Sequence, residues 1–481
     1  MTNLKTMLSS LLSAKIMLFF LLVTLVSSLI VGETLTLEPS PKNIPEPRYD
    51  MHRLEKLHRS NRWIQSEKIR IYCGWPMSTY WPRIKKDFSG NFFEFLDKVA
   101  EAGFNVALIG DIGNWNEKDW SASFDCPATA ALYARLKGLR VIWHMGYLYR
   151  KPAEKAAEEI GTKYGEFMTR TGQVYKACPC PLDEKLWQDR FENSILKALA
   201  WEKEHNVRIS CGCHLDVEPQ CEQEECLCNR CFSGFLKTEG LDEQALPKPD
   251  ERFAYLTDNQ LLEDYHLYLS ERLISILTPL RERVLKASGR PGYLFSFYPG
   301  HVFDRAGWMC RAMARALGNA EAPVLLWDDA MYWNGYTGSY KHILKNQEAM
   351  RQYLGYEPLY LPSIDYVLED IRYPTYTPER AAHEMYLLNC SSPGTFCFGE
   401  KARGKTVWES HEPYWPVFKE MNERLLKNGL IKSIGLHTPW FWERMKLQAL
   451  KESVDQRIRT YSAARESKEK KLKPNEAGNK P

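Results

Sequence analysis

In Gly212-Cys213-His214-Leu215-Asp216-Val217-Glu218-Pro219, side chains that can carry or move a proton recur at every second position. In an extended strand alternate side chains share a face, so His214, Asp216 and Glu218 look one way, Leu215 and Val217 the other. A strand-end glutamate can protonate the oxygen of a departing sugar, and an aspartate one pleat below raises its proton affinity by like-charge repulsion. Glu218 is therefore the candidate general acid and Asp216 the group that tunes it. A second carboxylate must stabilise the positive charge that develops at the anomeric carbon. Val324-Leu325-Leu326-Trp327-Asp328-Asp329 runs from apolar into acidic residues, making Asp328 or Asp329 the candidate opposing group, and alternation lets only one of them face a shared cavity. The competing reading of these carboxylates is ion pairing with Arg or Lys.

Such groups need strands to hold them. Eight short apolar runs are each followed by a stretch with helical periodicity: Ile69–Trp75, Asn105–Ile109, Arg140–Met145, Arg208–Val217, Tyr293–Tyr298, Pro323–Trp327, Pro358–Pro362 and Thr395–Phe398. This alternation predicts an α/β fold, a closed (β/α)8 TIM barrel over 69–447. A doubly wound open sheet would carry a Gly-rich phosphate loop early on, and Ile71-Tyr72-Cys73-Gly74-Trp75-Pro76 is not one. Strand ends in a barrel converge on one mouth, so Trp75, His144, His214, Tyr298, Asp365 and Glu400 are candidate substrate contacts, with Tyr332 and Trp333 as sugar platforms. Asp111 and Asp365 equally suit helix capping or structural pairing.

The segment from Gly212 to Glu218 resembles the fourth-strand signature of chitinase-like glycoside hydrolases, a glycine followed by acidic positions ending in Asp-x-Glu. His214 and Cys211 stand where that pattern has acidic or amide residues, and Trp327-Asp328-Asp329 replaces its Tyr-Asp pair, which argues against an acetamido-assisted mechanism. A second resemblance covers more of the chain. Cys178-Pro179, Leu186-Trp187, Asp216-Val217-Glu218-Pro219 and Cys226-Leu227-Cys228-Asn229-Arg230-Cys231 with Phe235 look like bacterial barrel glycosidases akin to the β-galactosidase-like group. That resemblance implies an acid/base glutamate ending the fourth strand, a place Glu218 fills, and a nucleophile glutamate ending the seventh. Here the seventh strand ends at Ser363-Ile364-Asp365, so only Asp365 could take the second role.

Eight of the 13 cysteines lie between Cys178 and Cys231, on both sides of the proposed catalytic strand. Cys226-x-Cys228-x-x-Cys231 with Cys221 offers four thiolates at spacings common in structural zinc sites. Disulfides are the competing arrangement in an exported protein. Catalysis itself needs no cofactor.

Lys5 and Lys15 precede an apolar run, Ile16–Val31, which reads as a signal peptide or an uncleaved N-terminal anchor over 1–32 and predicts an exported chain. Residues 33–68 read as a Pro-rich, charged linker leading to an N-terminal helix, and 448–481 as a charged helix and tail. With 64 basic and 61 acidic residues the net charge is only +3, too weak a field for a nucleic-acid footprint. Carbohydrate is the expected partner, and the membrane is one only through the N-terminal anchor. Two other functions compete with a glycosidase: a non-catalytic sugar-binding barrel, and a metal-dependent barrel hydrolase, which would need a His-x-His pair that the first strand lacks.

Overall fold

The structure is a computed structural model, and it describes residues 49–74, 92–110, 112, 120–147, 164–216, 225–241, 246–298, 307–328, 344–365, 377–399 and 404–472. Eight parallel strands close a barrel: β1 (Ile69–Gly74), β2 (Val106–Gly110), β3 (Arg140–Tyr147), β6 (Ser210–Asp216), β7 (Leu294–Tyr298), β8 (Leu325–Asp328), β9 (Leu359–Asp365) and β10 (Gly394–Gly399). Each pairs with its neighbours in chain order, and β10 closes on β1 from Ile69↔Gly394 to Gly74↔Gly399. All eight coincide with the apolar runs. The remaining two strands, β4 (Glu166–Met168) and β5 (Val174–Pro179), form a separate antiparallel hairpin that the sequence reading did not anticipate.

Alternation sorts each barrel strand into two rows. The inner row packs Ile69, Ile71, Val106, Leu108, Ile142, Leu294, Leu325, Leu359 and Leu361 into one core. Leu54, Leu57 and Ile64, from the segment preceding β1, join that core and plug its lower end. The outer row, including Tyr72, Val141, Trp143, Leu215, Phe297, Leu326 and Tyr360, meets the helices.

The helices show why they dock. α1 (Phe92–Glu101) buries Phe92, Phe95, Leu96 and Val99, one stripe of a 3.6-residue period. α4 (Leu262–Ser288) buries Tyr265, Leu269, Leu273, Leu277 and Leu280, and ends where Gly289 turns left-handed at φ 60°. α2 (Trp120–Leu136) carries Pro127 inside it. The C-terminal helix α5 (Phe441–Leu472) lies along α2, with Leu447, Val454 and Ile458 buried and Arg457 bidentate on Asp125 at 2.9 and 2.7 Å.

Gly212 is required on the fourth barrel strand. A Cβ there would lie 2.6 Å from the Leu294 carbonyl oxygen and 2.9 Å from the Leu294 Cβ, both fixed by the β6–β7 ladder. Gly212→Ala should therefore destabilise the protein by about 1–3 kcal/mol, the range for overpacking a close-packed interior. A urea melt reads this, and an unchanged midpoint would reject the claim.

Candidate active site

At the C-terminal ends of β3 and β6, His144, His214 and Asp216 come together on the inner row. Asp216, the last residue of β6, is only 7 % exposed, and its Oδ2 lies 3.5 Å from His144 Nε2. A carboxylate so far from water requires such a partner, because an unpaired buried charge is costly. The His144 and His214 rings are nearly parallel, with centroids 5.5 Å apart.

His214 begins a stacked column across the barrel. Its ring lies on Trp327 with centroids 3.4 Å apart, and Trp327 lies on Phe396 at 4.1 Å. Its Nδ1 sits 2.9 Å from Ser296 Oγ on the neighbouring β7. Burial, and then the charge of His144, hold the His214 imidazole well below the ordinary histidine range. It is a neutral ring at physiological pH, and at 1 % exposure it forms the floor beneath the strand-end carboxylates. His214 is among the substrate contacts expected from the sequence, and its ring lies buried in this stack.

The sixth barrel strand resolves an ambiguity. Trp327 belongs to the inner core and Leu326 to the outer, so Asp328 occupies the outer row. Its side chain accepts from Asn346 Nδ2 at 3.5 Å, on the helix at 344–354, and is buried there. Asp328 thus ties β8 to that helix.

Glu218, Asp329, Trp75, Tyr332, Trp333, Glu400, Asp111 and Cys221 lie outside the described residues. For Tyr298 and Asp365 the strand positions are described: Tyr298 pairs with Asp216, and Asp365 with Phe398. Ser296, Trp327 and Phe396 were not singled out from the sequence, although the parity of their strands would have put all three on the inner row.

Beside the barrel, the sulfurs of Cys180, Cys226, Cys228 and Cys231 lie within 4.8 Å of one another. Cys180 follows β5, and the other three come from the entry to α3 (Asn229–Thr238). Cys180 Sγ is 3.4 Å from Cys231 Sγ and 3.8 Å from Cys228 Sγ. Those separations exceed the roughly 2.05 Å of a disulfide and match the roughly 3.8 Å edge of a tetrahedron with metal–sulfur bonds of about 2.3 Å. The four residues fit a metal ion, and the fourth corner is Cys180 where the sequence reading had placed Cys221. Hydrogen bonds from Cys180, and then from Cys226 and Cys231, hold the Cys228 thiol far below its usual range, while Cys180 and Cys231 are pushed up. The thiolate is the form that binds metal.

The surroundings brace the cluster. Tyr265 Oη donates to the Cys226 carbonyl at 2.5 Å, and Arg252 Nη1 to the Leu227 carbonyl at 2.7 Å. Glu225, fully buried, takes Arg170 at 2.8 and 2.9 Å and lies 3.2 Å from His266 Nε2. Burial alone would raise its carboxyl, but these two partners outweigh it and bring it to about 2.

No protein-family model matches the chain, and no curated protein matches its sequence. Among solved structures it is similar to the β-galactosidase from Bacillus circulans sp. alkalophilus, with TM-score 0.51 and 12 % identity over 76 % of this chain and 56 % of that one. It is similar to the same degree to the polyextremophilic β-galactosidase of the Antarctic haloarchaeon Halorubrum lacusprofundi, with TM-score 0.51 and 11 % identity over 74 % and 58 %. The chain thus spans less than three fifths of the length of either enzyme. At such identities the likeness is one of fold.

Proposed function

We propose that the protein is an exported glycoside hydrolase that cleaves O-glycosidic bonds with Glu218 as general acid. The observation that carries this reading is the buried Asp216 at the last inner-row position of the fourth barrel strand, partnered by His144 at 3.5 Å. A buried acid at a barrel mouth is more readily explained by chemistry than by packing, because packing would favour an apolar residue there. The barrel shared with two β-galactosidases supports the reading at the level of fold.

In this mechanism Glu218, next on the row above Asp216, protonates the glycosidic oxygen as the bond to the anomeric carbon breaks. Asp329 carries the opposing negative charge. Carbohydrate is the partner, held over the His214–Trp327 floor by aromatic side chains at the rim, of which Tyr332 and Trp333 are the candidates. Catalysis requires no cofactor. Cys180, Cys226, Cys228 and Cys231 would hold a zinc ion with a structural role, tying the β4–β5 hairpin to α3 on either side of β6 in the chain.

Asp216 gives the test its pH signature. Its negative charge raises the proton affinity of Glu218, so replacing it with a neutral amide lowers the Glu218 pKa and deprotonates the acid earlier as pH rises. In Asp216→Asn the alkaline limb of kcat/KM against pH should move to lower pH, measured on whichever glycoside the parent enzyme cleaves. An alkaline limb that stays in place would separate Asp216 from the acid, and a parent protein that binds sugars but cleaves none would leave the non-catalytic barrel.

A further inference from the structure

Among the described residues the most exposed aromatic side chains lie at one place, the start of α5. Trp440 is 84 % exposed, Phe441 65 %, Trp442 80 % and Met445 55 %. Three consecutive aromatic side chains in water are unusual for a chain with ample interior to bury them, and such a patch marks a surface that meets something. These residues are not part of the stripe that docks α5, which is Leu447, Val454 and Ile458.

The patch is at the closed end of the barrel. The segment leading into it crosses the strand starts: Lys432 N donates to Ser66 O at 2.6 Å, Arg140 Nη1 to Gly435 O at 3.2 Å, and His437 N to Gly138 O at 2.7 Å. Just after it, Lys446 Nζ donates to Asn206 O, ahead of β6. Tyr49, the first described residue, is held at this same end. Tyr49 Oη donates to Glu357 Oε1 at 2.8 Å, ahead of β9, and Tyr49 N to Cys390 O, ahead of β10. Before Tyr49 the sequence carries the Pro-rich residues 33–48 and, ahead of them, the uncharged apolar run Ile16–Val31.

Charge and ring geometry narrow the occupant. Arg444 and Lys446 are exposed on the same opening turns of α5, Lys432 is exposed in the segment leading to it, and the one acid of the first turn, Glu443, faces Arg135 at 3.7 Å. Bulky aromatics ringed by basic side chains suit the headgroup boundary of a bilayer containing anionic lipid. The Phe441 and Trp442 rings meet at 75° with centroids 5.1 Å apart, so the two do not form one continuous flat platform for a sugar chain. Among the described residues no helix is long and apolar enough to cross a membrane.

We infer that Trp440, Phe441, Trp442 and Met445 dock the closed end of the barrel onto a phospholipid surface, with its open end directed away from the membrane. This inference is independent of the catalytic reading. It can be tested on the full chain, because residues 1–48 contain no tryptophan and cannot contribute to the signal. The chain is mixed with vesicles of phosphatidylcholine and phosphatidylglycerol, with and without bromine on the acyl chains, and its tryptophan emission is recorded. Bromine should quench part of the emission of the parent. Trp440→Phe with Trp442→Phe, which keeps the surface apolar but removes two of the fifteen tryptophans, should abolish that quenching. No quenching in the parent, or quenching that persists in the double variant, overturns the inference. So does an unquenched parent whose self-association in sedimentation, or whose retention on insoluble glycan, is lost when Trp440, Phe441 and Trp442 become serine: the surface would then belong to a second copy or to a sugar.

Discussion

Glu218→Gln should slow cleavage by at least about a hundredfold, the usual scale of help from a general acid, while leaving sugar binding in place. Glutamine keeps the shape and hydrogen-bonding capacity of the side chain but has no ionisable proton. The loss should depend on the leaving group. A nitrophenolate departs without being protonated, so nitrophenyl glycosides should recover much of the lost rate in Glu218→Gln. Asp329→Asn removes charge stabilisation at the anomeric carbon, and no choice of leaving group should rescue it. Asp328→Asn provides the contrast: its side chain faces Asn346 on the helix side of β8, so its effect should fall on stability more than on rate. A Glu218→Gln enzyme fully active on the parent's glycan would refute the mechanism, and full rescue of Asp329→Asn by nitrophenol would assign the opposing charge elsewhere.

Cys180→Ser and Cys228→Ser should each yield protein without metal and with a large loss of stability. The parent should release about one zinc per chain to a chelator when its thiols are modified under denaturing conditions. Structural zinc contributes its binding free energy directly to folding, so losing a ligand should cost about 3 kcal/mol or more, read as an early transition in a thermal melt. Cys221→Ser separates the two ligand sets: it should retain zinc if the corner is Cys180, as the 3.4 and 3.8 Å sulfur separations indicate. A parent with no metal and no free thiols among these four would establish disulfides and end the zinc reading.

The barrel was legible in the sequence because its strands are buried on both faces and their helices on one. Runs such as Val324-Leu325-Leu326 and Leu359-Tyr360-Leu361 have no solvent side, whereas Phe92, Phe95, Leu96 and Val99 mark one helical face. Strand parity likewise made the shared row of His214 and Asp216 readable, since a period of two leaves no alternative once one member is inward. The β4–β5 hairpin escaped because Glu166–Met168 is three residues long, too short for any periodicity.

By itself, then, the sequence determined the order of the strands, the row of acid-bearing positions on the fourth of them and the clustering of cysteines around it, all of which depend on neighbours within a few residues. Only the tertiary structure decided which groups meet. Cys180 lies 46 residues before Cys226 and is brought to it by the hairpin and α3. Asp328 turned outward because Trp327 stacks between His214 and Phe396, three residues from three different strands. His214 became floor, and Trp440 to Trp442 remained in water, because burial is a property of the space left by the whole fold and local hydropathy cannot report it.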